Sequence, residues 1–190
     1  MKRLIGAISC ILVGMILLAP SAHAEETNIY APYDSFEDMR DAYIQAIEDG
    51  DVEKQKELYK LGESTLEKEI ELSKKALASE ATTRYNPDEQ YWISQFPKLF
   101  ASGYWRQRDE GVTLSLNPKT IVSHGTQSDA ARGWNSVYAK FRKDSNWTRW
   151  NYTDSMEKQY YCHYRNAKIK PQWNLEPWRP ANTVDPNLCN

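Results

Sequence analysis

The sequence predicts an α+β protein in which an acidic helical hairpin precedes a small, disulfide-closed α+β domain. Three observations carry this reading. Charge divides the chain, with 7 Lys/Arg against 16 Asp/Glu over residues 25–80 and 15 against 10 over residues 81–190. Aromatic content divides at the same place: Trp92, Trp105, Trp134, Trp147, Trp150, Trp173 and Trp178 all lie in the second part. Apolar residues recur at helical spacing in the first part and alternate in part of the second. With 190 residues and a mean hydropathy of -0.74, the chain suits one packed core and is too short for a large multidomain assembly.

Residues 1–24 have the plan of a secretory signal peptide. Lys2 and Arg3 form a positive start, Leu4 to Leu18 an apolar run, and Ala22-His23-Ala24 a site with small residues at both positions a signal peptidase reads. Cleavage is expected after Ala24. The mature chain then begins at Glu25 and has no apolar stretch long enough for a membrane span. The alternative is an uncleaved anchor helix, for which the run is short. Cys10 lies inside the apolar run and leaves with the leader, so Cys162 and Cys189 remain. Two cysteines in an exported chain predict one disulfide. It would close a loop of 28 residues and contribute ~3.5 kcal/mol by restricting the unfolded chain. The competing reading is a catalytic thiolate at Cys162 beside His163, which an oxidising compartment disfavours.

The acidic segment, residues 25–82, reads as two helices. Ser35 is placed to cap the first, with Asp38 three residues on, and Phe36, Met39, Tyr43 and Ile47 follow at helical spacing. Gly50 stops that helix and Asp51 caps the next, whose stripe is Tyr59, Leu66, Ile70 and Leu77. Glu71 and Lys75 add an i,i+4 pair. Only one face of each helix is apolar, so the hairpin needs a covering surface. Packing on its own C-terminal domain is the favoured reading; the other is a protein partner bound through residues 35–80.

Residues 83–190 form the second unit, joined through Ala81-Thr82-Thr83 and Asn86-Pro87. Gly103 to Leu116 predicts a β-hairpin turning at Asp109-Glu110-Gly111, with Val112, Leu114 and Leu116 inward and Thr113 and Ser115 outward. Ser128 to Lys143 predicts a helix burying Ala131, Trp134, Val137 or Tyr138, and Phe141. Ser155 to Lys168 reads as a helix or a helix-strand mixture, and the four prolines from Pro171 onward predict an irregular tail pinned by Cys189.

Several of these residues match a known pattern. Gly103-Tyr104-Trp105-Arg106, the run Gly111 to Leu116, Asn117-Pro118 and Trp134 resemble the opening of the DUF2599 family. Gln159-Tyr160-Tyr161-Cys162-His163, Ala167, the block from Trp173 to Pro180 and Cys189-Asn190 resemble the rest of it. The resemblance covers about residues 100–190 and leaves the acidic helices unmatched. It implies an exported bacterial protein and carries no assigned activity.

Chemistry is thinly written. The mature chain has two histidines, His124 and His163, too few for a His-rich zinc site, so neither a metal nor a cofactor is expected. G-x-S-x-G, P-loop, dinucleotide and H-E-x-x-H patterns do not occur. Ser123-His124 reads as a turn before Gly125. A disulfide at Cys162 would fold the tail back and bring Glu176 and Arg179 towards His163. That trio combines a near-neutral titrating group, a base and an anion holder, and suits a small hydrolase or secreted toxin. The competing structural reading is a Glu176–Arg179 ion pair over a hydrogen-bonded His163.

Seven tryptophans exceed what so small a core is expected to bury. Trp147, Arg149, Trp150, Trp173 and Trp178, with Arg106, Arg108 and Arg165 nearby in sequence, therefore predict a basic aromatic surface for an envelope or extracellular ligand such as a glycan or anionic polymer. Trp147 and Trp150 are the expected exposed pair; the competing reading is that most of the tryptophans stack internally in a domain short of aliphatic residues. Nucleic acid is disfavoured, because the excess of base over acid in this half is modest and the chain is exported.

Overall fold

The computed structural model describes residues 28–80 and 88–189. The expected leader over 1–24 and the expected linker at Ala81-Thr82-Thr83 and Asn86-Pro87 lie outside them. Helix α1 spans Phe36–Glu48 and starts where the Ser35 hydroxyl accepts the Asp38 backbone N–H. It stops at Gly50, whose φ of 68° opens the left-handed turn that lets the Asp51 N–H reach the Ala46 carbonyl. The Asp51 carboxylate then caps helix α2, Val52–Glu80, through the Lys54 N–H. The predicted hairpin is present.

Its buried faces differ from the apolar stripes. In α1 the last buried position is Ala46, while Ile47 is 44% exposed. At 100° per residue the stripe centres on Met39 and Tyr43 and leaves Ile47 at its edge, in the turn before Gly50. In α2, Leu66 is buried but Tyr59, Ile70 and Leu77 are only half-buried. The covered line runs instead through Leu58, Gly62, Thr65, Glu69 and Ser73. Thr65 and Glu69 can occupy it because Arg165 and Tyr30 supply partners, a condition that periodicity does not report.

Helix α3, Glu89–Leu99, is capped by Asp88 and was not expected from the sequence. Its Phe96 stacks on Phe100 at 4.9 Å and meets Phe141 edge-on at 5.4 Å. Strands β1, Phe100–Gln107, and β2, Val112–Pro118, form the predicted hairpin. A third strand, β3 at Trp173–Leu175, pairs antiparallel on the free side of β2 and gives the order β1-β2-β3. The tail is therefore partly a strand. Thr113 and Ser115, expected to face outward, are 1% and 0% exposed because β2 is a central strand. The Ser115 hydroxyl donates to the Asn174 side chain across the β2–β3 pair.

After the short helix α4, Thr120–Ser123, comes α5, Gln127–Phe141, which opens with a Thr126–Asp129 capping box. A four-residue helix α6, Ser145–Thr148, leads into α7, Thr153–Asn166, so the ambiguous segment is helical throughout that range. Helix α2 lies along α5 and α7, which seats the hairpin on the C-terminal half. The core joins Leu66 of α2 to Phe100, Leu114, Leu116, Val137, Met156, Tyr160 and Trp173. Cys162 and Cys189 form the predicted disulfide, with Cα atoms 5.5 Å apart. Beside it, the Asn187 side chain donates to the Leu58 carbonyl at 3.2 Å, and Asp185 accepts from the Tyr43 hydroxyl at 3.0 Å. The tail thus reaches back to both helices of the hairpin.

Candidate functional site

The sequence offers two candidate sites, a catalytic trio at His163 and an aromatic surface. His163 projects from α7 into the interior and is 8% exposed. Its Nε2 bonds the Asn174 carbonyl at 3.0 Å and its ring stacks on Trp173 at 6.1 Å. Burial lowers its pKa to about 4, against a weaker opposing effect of the Asn174 carbonyl. The ring is neutral at physiological pH and Nδ1 has no hydrogen-bond partner among the described residues.

Glu176 and Arg179 are occupied with each other. Arg179 Nε donates to Glu176 Oε2 at 2.6 Å, three residues back along the tail. Gln159 clamps the Glu176 backbone from α7, accepting its N–H at 2.7 Å and donating to its carbonyl at 3.0 Å. Gln159 is held in turn by the Ser155 hydroxyl. The ion pair and the hydrogen-bonded histidine of the structural reading are both present, and each fixes the tail. The Ser123 hydroxyl bonds His124 Nδ1 at 2.9 Å at the end of α4. Among the described residues, no group of three or more His, Cys, Asp or Glu is placed to hold a metal ion.

The expected aromatic surface needs correction. Trp147 is 2% exposed and Trp173 is fully buried, so neither can meet a ligand. The reason is that their N–H groups find internal acceptors: Trp147 bonds the Thr153 hydroxyl and Trp173 the Ala167 carbonyl, each at 3.0 Å. Trp134 and Tyr160 complete an internal aromatic stack between them. Arg165 is also buried, on the side facing the hairpin. Arg108 is half-buried and bonds the Asn174 side chain at 3.0 Å.

Arg149, Trp150 and Trp178 behave differently. They line one groove of about 280 Å³ between the β1–β2 turn, the end of α6 and the tail. Trp150 is 39% exposed, and the Arg149 guanidinium lies 5.3 Å over its ring. Arg179 sits 5.3 Å over the Trp178 ring, linking the tail ion pair to the groove wall. Gln107, Glu110 and Asn146 supply polar side chains to the same concavity. The sequence reading missed these three, since their only signal was a turn or a flanking position. Gly111, with φ 148°, lets Trp178 close against the turn: a Cβ there would lie 2.6 Å from the indole Nε1. A groove with aromatic faces, amides and a guanidinium can stack on a ring and hydrogen-bond its rim.

A three-stranded antiparallel sheet with its tail stapled to a helix defines a small, disulfide-closed α+β domain. Residues 100–190 match the family described as a protein of unknown function, DUF2599. The resemblance seen in the sequence is thereby shown, and α1, α2 and α3 precede the matched region. Over 33 residues the chain is 52% identical to uncharacterized protein Mb0487 of Mycobacterium bovis and uncharacterized protein Rv0477 of Mycobacterium tuberculosis. The match takes in 15% of this chain, and the chain spans only 22% of the length of those curated relatives. No solved structure matches the chain.

Proposed function

We propose that this protein works outside the cytoplasm, after cleavage at Ala24, and recognises a cell-envelope or extracellular ligand through the Arg149–Trp150–Trp178 groove. The observation that carries the reading is convergence: three residues singled out for their chemistry, from two separate segments, line one concavity. The ligand class that suits it is a glycan or an anionic polymer. Sugar rings stack on indole faces, while amides and guanidinium groups read hydroxyls or acidic substituents. A disulfide supports an oxidising compartment. No helix among the described residues is long and apolar enough to cross a membrane.

Two measurements test this. Purified cell-wall polysaccharide should retain the wild-type protein and lose most of the Trp150→Ala/Trp178→Ala double variant. Equal retention of both would remove the groove from the proposal. Separately, the intact mass of the exported protein should start at Glu25; a retained leader would overturn the assignment of compartment. The hydrolase reading gains no support from the geometry, because His163 is covered and Glu176 is already paired with Arg179.

A further inference from the structure

A second cavity, of about 290 Å³, lies between the hairpin and the family domain, apart from the groove. Its lining comes from the segment before α1, the start of that helix, the middle of α2, and residues of α5 and α7. Three buried polar side chains contribute: Glu69, Ser73 and Arg165, at 9%, 1% and 5% exposure. Arg165 donates to the Thr65 hydroxyl and the Pro186 carbonyl, and its guanidinium lies 4.2 Å over the Phe36 ring. Glu69 accepts from the Tyr30 hydroxyl through Oε1, and its Oε2 lies 3.5 Å from Arg165 Nη1.

Buried polar groups in native proteins nearly always complete their hydrogen bonds. Here Arg165 Nε, the Ser73 hydroxyl and Glu69 Oε2 complete none among the described residues. The cavity is thus lined by two unsatisfied donors, Arg165 Nε and the Ser73 hydroxyl, beside a carboxylate whose Oε2 has only the Arg165 ion pair. Its outer part has the same mixed sign, with Asp34 and Glu37 on one side and Lys168 on the other. Tyr30, Phe36 and Tyr164 provide aromatic wall.

Charge sign decides what fits. A simple anion would meet the carboxylates of Asp34, Glu37 and Glu69, and a simple cation would meet Arg165 and Lys168. Each unfavourable encounter is strengthened where water is partly excluded. A ligand carrying both signs avoids both encounters. We propose that this cavity binds a small zwitterion of the amino-acid type, its ammonium towards Glu69, Glu37 and Asp34 and its carboxylate towards Arg165 Nε, Ser73 and Lys168. The aromatic wall receives the side chain. A volume just under the usual small-molecule range suits a single amino acid or a dipeptide rather than a larger compound.

The test is calorimetric titration of the full exported chain with L-phenylalanine and with glycine. Phenethylamine and 3-phenylpropanoate serve as controls that keep the ring and drop one charge. L-Phenylalanine should bind saturably and at least about tenfold tighter than either control. Lys168→Ala and Glu37→Gln, both at exposed positions, should each weaken it by about fivefold or more with melting temperature unchanged. Trp150→Ala should leave this binding intact, which separates the cavity from the groove. Saturable binding by neither amino acid, a single-charge control that binds as well, or indifference to both variants would overturn the proposal.

Discussion

Trp173 and Trp178 lie on one tail, yet they belong to different regions of the molecule. Trp173 is on β3, fully buried between Tyr160 and the His163 ring, with its N–H satisfied by a carbonyl. Trp178 follows the strand, half-buried at the groove wall, with Arg179 over its face. The same contrast separates Trp147 from Trp150 at the end of α6. An indole becomes core when a neighbouring element offers an acceptor and a ring, and becomes available surface where the element ends. Composition alone cannot make that distinction.

Mutations can break or sharpen the contrast. Trp173→Ala should cost about 3–5 kcal/mol in unfolding free energy by denaturant titration, the loss expected for a buried large-to-small change. A cost near zero would mean the interior stack does not carry stability. Replacing Cys162 and Cys189 by serine should cost ~3.5 kcal/mol, read as a lower melting temperature under the same buffer. It should loosen the tail, and with it the groove wall at Trp178.

Acid acts on the buried side through His163. Burial holds the His163 pKa at about 4 in the folded protein, below the ordinary 6.5. The unfolded chain therefore takes up the proton first as pH falls. This contribution to stability is complete above about pH 6.5, erodes by about 1.4 kcal/mol per pH unit, and is lost on passing pH 4. His163→Gln should flatten that part of the stability profile; an unchanged slope would show that another group causes it. At the small end, Trp150→Ala should change stability by no more than about 0.5 kcal/mol while lowering polysaccharide binding. Glu176→Gln should cost no more than about 1 kcal/mol, because the ion pair it breaks is partly exposed.

Local chemistry was legible in the sequence wherever one segment determined the outcome. Ser35, Gly50 and Asp51 marked the hairpin, Asp109-Glu110-Gly111 the β-turn, and the cysteine count the staple. Features set by distant partners were not legible. Strand β3 exists because β2 has a free edge, and nothing in Trp173-Asn174-Leu175 announces that pairing. The buried line of α2 contains Thr65 and Glu69 because Arg165, a hundred residues away, supplies their bonds. At the groove, three residues chosen for charge and aromaticity do meet, while Trp147 and Trp173 were misplaced because their internal acceptors were invisible.

The contacts between hairpin and tail have a consequence for how the chain acquires its shape. They span 142 residues for Tyr43 with Asp185, 129 for Leu58 with Asn187 and 125 for Tyr59 with Val184. The helices synthesised first can coil early and find α5 and α7, but they lack the tail's share of their seat until Asp185 and Asn187 arrive. Closing such distances is entropically slow, and non-local pairing of this kind delays folding relative to a bundle with local contacts. Until then the part of both helices that the tail covers stays open, the interval in which an escorting protein would matter most.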